Sequence, residues 1–204
     1  MEDWDKILGD EELDEAVKNI ESRGIKVIVV ENKEEALEKL KSLIPKEASI
    51  ANGSSTTLNE IGFVSYLQEG DHGWKNLHKE VLEEKDPARQ AELRRKMVTA
   101  DYFLGSVNAI SKNGELVACD NSGSRVGAYH FAAKNLLLVA GCQKIADNLE
   151  GAMRRIKEYV FPLENERAKK AYGTGSNMSK WIIIEKEIIP HRITLILVKE
   201  KLGF

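Results

Sequence analysis

Two polar clusters carry the residue types that could do chemistry. The first is Asn52-Gly53-Ser54-Ser55-Thr56-Thr57, which follows the short apolar run 48–51 and precedes a helical pattern over 56–69. The glycine lets the backbone turn tightly. The hydroxyls and the free amides of a helix start then face whatever sits above the strand end, an arrangement that suits an anion. Ser55 or Thr56 alone would serve as an ordinary helix cap. Capping needs one hydroxyl and the loop offers four, so binding and capping both stay open. The loop lacks the Gly-Lys-Ser/Thr ending of a Walker loop, and it is not a Gly-x-Gly-x-x-Gly fingerprint.

The second cluster lies in the hairpin 101–125, where Ser106, Asn108, Asp120, Asn121, Ser122, Ser124 and Arg125 gather at the ends of apolar runs. Turn chemistry accounts for Lys112-Asn113-Gly114. It accounts less well for Asn108, an amide inside an apolar strand that needs partners if buried. Arg125 beside a Ser/Gly loop can clamp a carboxylate or phosphate in bidentate fashion; a surface ion pair is the competing reading. Glu60, Glu115 and Asp120 lie near these loops, and a solvated or structural role is the better reading of each. His72, His78, His130 and His191 are scattered without metal-ligand spacing, so no metal site is expected. Cys119 and Cys142 are isolated thiols, too few for a zinc or iron–sulfur framework; Cys142, after an apolar strand, reads as packing.

The elements that must position these groups follow from hydrophobic period. Residues 4–22 read as an amphipathic helix ended at Gly24, and 25–30 as a buried β-branched strand. Asn32 with Glu35 has the form of a capping box for a helix that Pro45 stops. Strand 48–51, the polar loop and a helix bent at Gly62 come next. This alternation predicts a parallel sheet with helical crossovers. Residues 70–86 are irregular and read as a flap; 87–99 is a charged helix. A strand over 102–110 turns through Asn113-Gly114 as a type I′ hairpin into 115–119. A helix near 126–133, an all-apolar strand 136–140 and a helix over 144–159 follow. Two late strands, 181–184 and 193–198, are expected to join the same sheet or cover one edge.

Composition limits the classes. With 204 residues, 42% hydrophobic and 31% charged, the chain can bury a substantial core. Its net charge of -3 argues against a nucleic-acid binder. The basic run Arg94-Arg95-Lys96 reads as a solvated helix face. No apolar run approaches the ~20 residues of a membrane span. The acidic start Met-Glu-Asp-Trp-Asp has no signal core, so a cytoplasmic protein with reduced thiols is expected. One domain over 1–204 is expected, with 1–23 a helical appendage.

Several segments resemble the LUD-domain family of the lactate-utilisation protein C type: Phe103-Leu-Gly-Ser-Val-Asn-Ala-Ile-Ser111, Gly114-Glu-Leu-Val117, Gly123-Ser-Arg-Val-Gly-Ala128, Val139-Ala-Gly141, Trp181-Ile-Ile-Ile-Glu185 and Arg192 to Phe204. The resemblance implies a three-layer α/β fold, an open and mostly parallel sheet with helices on both faces, akin to ribose-5-phosphate isomerase and the CoA transferases. In such relatives a Gly/Ser/Thr loop binds phosphate, which Gly53 to Thr57 would match, and a nearby strand supplies an acid. Asn108 stands where that acid is expected; it can orient a substrate but cannot take a proton as a carboxylate does.

The resemblance also implies a role in oxidising L-lactate to pyruvate beside iron–sulfur partner proteins. Lacking cluster cysteines, this chain is expected to be an accessory subunit that binds a small carboxylate or other anionic metabolite, without a cofactor of its own. The alternatives are a free-standing enzyme on a phosphorylated sugar or CoA thioester, and a regulatory module that binds a metabolite. The expected ligand-binding residues are Gly53, Ser54, Ser55, Thr56, Thr57, Ser106, Asn108, Asp120, Ser124 and Arg125.

Overall fold

A computed structural model describes residues 3–204. Met1 and Glu2, the start of the expected appendage, lie outside the described residues. Six parallel strands form the central sheet in the order β1-β10-β7-β4-β2-β3. They are β1 Lys26–Val30, β2 Ser49–Asn52, β3 Lys75–Asn76, β4 Tyr102–Gly105, β7 Asn135–Gly141 and β10 Ile193–Val198. A second, four-stranded sheet runs β8-β5-β6-β9, from β5 Ala109–Ser111, β6 Leu116–Asp120, β8 Ile145–Ala146 and β9 Lys180–Ile184.

The central strands show why the fold has three layers. Successive side chains of a strand point to opposite faces. In β7, Leu136, Leu138 and Ala140 enter one buried cluster and Leu137 and Val139 the other. In β10, Leu195 and Leu197 divide from Ile196 and Val198 in the same way. Both faces are therefore covered, which is why these strands read as unbroken apolar runs.

Helices α2 Lys33–Leu43, α3 Thr56–Glu60 and α4 Phe63–Glu69 cover one face through Ala36, Leu40, Leu58, Phe63 and Leu67. Asn32 caps α2 by accepting from the Glu35 amide at 2.9 Å, as its sequence predicts. Gly62, at φ 78°, separates α3 from α4. The other face packs against α1 Asp10–Ser22, through Leu13, Ala16 and Ile20, and against the second sheet. Helices α5 Leu77–Glu83, α6 Pro87–Met97, α7 Ser124–Gly127, α8 Leu149–Arg155 and α9 Phe161–Tyr172 complete the chain.

Five readings of the sequence change. The expected strand 102–110 is two strands in two sheets, because Ser106 to Asn108 carry the chain from one sheet to the other. Its turn is a three-residue loop: Gly114 alone takes positive φ, 100°, while the Gly114 amide donates to Ser111 O. A type I′ turn would need positive φ at two positions. Residues 70–86 are less irregular than expected, with β3 pairing Ile50 and α5 capped by Asn76. The helix placed at 144 starts at Leu149 under an Asn148 cap and continues through a wide π turn to Tyr172. The helix runs on through Pro162, which follows directly on the wide turn Ile156–Val160, a break in the regular bonding ladder of the kind that accommodates a proline. Of the late strands, β10 inserts between β1 and β7, while β9 joins the second sheet.

Candidate functional site

Ligands of open α/β sheets bind outside the carboxyl ends of the strands. Here β2, β4 and β7 end side by side at Asn52, Gly105 and Gly141. Above them lies a cleft of ≈ 520 Å³. All ten residues expected from sequence line it: Gly53, Ser54, Ser55, Thr56, Thr57, Ser106, Asn108, Asp120, Ser124 and Arg125. The second sheet supplies the last group, since Asn108 precedes β5, Asp120 ends β6 and Arg125 opens the turn beyond it.

Within the loop, Ser55 is the cap, its Oγ accepting from the Leu58 amide at 3.2 Å. Capping thus takes one hydroxyl and leaves Ser54, Thr56 and Thr57. The helix it starts has only five residues. Positive potential in the cleft therefore comes from side chains rather than from α3.

Arg125 lies over Gly53: a Cβ added at Gly53 would stand 3.1 Å from Arg125 Cδ. Its Nη2 donates to Cys119 O at 2.5 Å and to Asn108 Oδ1 at 3.3 Å. Asn108 Oδ1 also accepts from the Cys119 amide at 2.9 Å. Asn108, expected inside a strand, lies instead in the crossing between β4 and β5; its amide finds its partners there, and one of its tasks is to steer a guanidinium. Asp120 accepts the Arg125 amide at 3.0 Å, which ties down the start of α7.

Lys144 is the residue that the sequence did not reveal. It follows β7 in a tight turn, Cys142–Lys144, and is 3% exposed. Its Nζ reaches Thr57 Oγ1 at 3.0 Å, Ser106 Oγ at 3.1 Å and Val107 O at 3.2 Å. One amine thereby links the chain beyond the ends of β2, β4 and β7. Burial, then the Arg155 and Arg125 guanidiniums, push its pKa down to about 7. The three oxygens can hold an ammonium, and a neutral amine can accept from one of the two hydroxyls while donating to the other oxygens. The group is thus poised between its two forms. The only sequence signal was a lysine just past an apolar strand, a pattern that surface lysines share.

Arg155 lies beneath, 1% exposed, donating to Asn108 O at 2.9 Å and to Trp4 O at 3.2 Å. Burial lowers its pKa to about 10, so it stays charged at neutral pH. At the other end of the loop, His78 Nδ1 meets Asn52 Oδ1 at 3.0 Å. Burial, with the Arg94 charge adding to it, lowers the His78 pKa. Among the acids, Glu115 binds Arg23 at 2.5 Å, away from the cleft, and Glu60 accepts the Gly203 amide at 2.6 Å. Glu164 holds Arg167 in a two-pronged pair on the far wall, both contacts 2.7 Å.

Cys119 and Cys142 are free and buried, and burial raises both thiols, Cys142 to about 12. Neither is exposed as a reactive thiol is, and although Arg125 lies beside Cys119, burial outweighs its charge. In the native protein both should react with a thiol reagent at least tenfold more slowly than after unfolding; rapid native labelling of Cys142 would contradict this packing. Among the described residues no group of three or more His, Cys, Asp or Glu is placed to hold a metal ion. No helix among them is long and apolar enough to cross a membrane.

Fold and cleft together define an open parallel-sheet α/β protein with a cationic crevice at its strand ends. The sequence model of the LUD domain matches residues 13–198, and the chain belongs to that family. A solved structure of a DUF162 family protein from Deinococcus radiodurans has the same fold, with a TM-score of 0.55 over 92% of this chain and 96% of that one, at 12% identity. Comparison with curated proteins gave no match.

Proposed function

We propose that this chain binds a small anionic metabolite, foremost a carboxylate, in the crevice between Gly53 and Arg125. On this reading it is an accessory subunit of a system that oxidises L-lactate to pyruvate with iron–sulfur partners, in keeping with the family's association with lactate utilisation. We place it in the cytoplasm, as one unit from 1 to 204. The observation that carries the binding claim is Lys144 and Arg125 facing one cleft, each bonded to neutral oxygens rather than to a carboxylate. Burial disfavours the charged form of Lys144, and an anion arriving beside it and Arg125 would restore that form.

The rival reading is a free-standing enzyme on a phosphorylated sugar or CoA thioester. One observation favours it: an amine titrating near neutrality is suited to proton transfer. Asn108 weighs against it, because an amide stands where the expected acid would be.

Thermal unfolding in the presence of L-lactate, pyruvate, a phosphosugar and a CoA ester tests the claim. At least one carboxylate should raise the melting temperature, and Arg125→Ala should weaken that ligand about 10- to 100-fold, the usual worth of a charged hydrogen bond. Gly53→Ala should also weaken it while changing stability by less than about 1 kcal/mol, since the Arg125 stem can shift aside. If every compound leaves the melting temperature unmoved, the anion-site reading falls. Turnover of a phosphosugar or thioester by the isolated chain would instead select the enzyme.

A further inference from the structure

The cationic side chains of the cleft are spread along it rather than gathered at one point. The segment 52–57 forms a spine. At its Thr57 end stands Lys144, at 3.0 Å. Over its middle, at Gly53, lies Arg125. At its Asn52 end stands His78, at 3.0 Å, and beside His78 the exposed Arg94 of α6. Lys144, Arg125 and Arg94 all line the cleft. Among the described residues none of the three forms an ion pair with a carboxylate.

Of the acids that line the cleft, Glu164 is paired with Arg167, and Asp120 lies at the Arg125 end, where it accepts the Arg125 amide and keeps its own charge. Burial, with the nearby Arg94 charge, holds His78 below its usual pKa and disfavours its charged form. Volume points the same way. A cavity of ≈ 520 Å³ lies within the range of about 300–1,000 Å³ that suits ligands of drug size. A three-carbon hydroxy acid seated on Lys144 and Arg125 would leave the Arg94 end empty.

We propose that the crevice takes an elongated metabolite with an anionic group at each end, of the class of phosphorylated carboxylic acids, one end on Lys144 and Arg125 and the other on Arg94. The proposal rests on the anion-binding reading and narrows it to a substrate class. A one-headed acid would occupy only the Lys144 end, which predicts weaker binding. Arg94, at the open rim, would set the preference between the two classes by its charge alone.

Calorimetric titration of the full chain with L-lactate, 2-phosphoglycolate and 3-phosphoglycerate tests this. At least one phosphorylated acid should bind ten or more times as tightly as lactate. In Arg94→Ala that ratio should fall towards one, and Arg94→Lys should restore part of it. Thermal unfolding of the variants confirms that they fold, which the exposure of Arg94 leads one to expect. Equal affinities in the wild type, or an undiminished ratio in Arg94→Ala, would overturn the two-headed ligand while leaving the anion site intact. If no acid binds at all, the broader reading fails with it.

Discussion

Replacing Lys144 by methionine is expected to abolish anion binding and to change how stability depends on pH. The sign follows from the two pKa values. In the unfolded chain the amine titrates near the ordinary lysine value of 10.5; burial in the folded protein brings it down to about 7. Between these values the unfolded state binds the proton and the native state does not, so stability rises with pH across that window. Below about pH 7 both states are protonated, and the native protein bears the full cost of a buried ammonium.

At 1.36 kcal/mol per unit, the shift corresponds to roughly 5 kcal/mol between pH 6 and the upper end of the window. Methionine has no such cost at any pH. It does remove the donor of Thr57 Oγ1, a loss of about 1–3 kcal/mol that does not vary with pH, while Ser106 Oγ and Val107 O keep the 3.2 Å bond they make to each other. The absolute stability of the variant is therefore a balance of two opposing terms. The difference between variant and wild type is not: it should move in favour of the wild type by several kcal/mol from pH 6 to pH 10. Urea denaturation of both proteins at pH 6, 8 and 10 reads this directly, and groups that titrate alike in both cancel. A gap that stays constant would mean that Lys144 keeps an ordinary pKa and that its burial is offset by contacts to its charged form.

That Lys144 was invisible in the sequence, while its ten companions were not, has a physical reason. Gly53 to Thr57, Ser106, Asn108, Asp120, Ser124 and Arg125 sit where apolar runs break into polar ones. In a parallel sheet such breaks fall at the strand ends, so they converge on one crevice without any knowledge of strand order. Lys144 also follows an apolar strand, but its burial depends on β7 lying beside β4 and two strands from β2. Strand order is long-range information, and no local pattern holds it. The same limit hid the split between β4 and β5: period-2 alternation cannot tell one strand from two that point into different sheets. Residues 75–83 were obscured differently. A two-residue strand and a seven-residue helix are too short for any periodicity to rise above polar neighbours.

Gly105→Ala should be strongly damaging for the addition of a single methyl group. Gly105 is not among the glycines with positive φ, so its backbone would accept alanine. Space is what forbids it. A Cβ there would fall inside the Tyr129 hydroxyl and only 2.9 Å from Tyr129 Cζ. Tyr129 cannot yield: it is fully buried, edge-on to Phe103 at 6.1 Å between ring centroids, and its hydroxyl donates to Ser106 O at 2.9 Å. Overpacking of this kind costs about 1–3 kcal/mol, and losing the hydrogen bond adds about 1 kcal/mol. Against a total stability of roughly 5–15 kcal/mol this is a large share.

The damage should reach the crevice, because Ser106 accepts the Tyr129 hydroxyl through its carbonyl and Lys144 through its side chain. Tyr129→Phe separates the two effects. Alone it should cost about 1 kcal/mol. Combined with Gly105→Ala it should be less destabilising than the sum of the single changes by at least 1 kcal/mol, since the clashing oxygen is gone and only the ring contact remains. Additive losses in denaturant unfolding would show that the clash is relieved elsewhere, by movement of β4 rather than by the tyrosine. Weakened anion binding in Gly105→Ala, measured on the fraction still folded, would then report how far Ser106 and Lys144 had been carried with it.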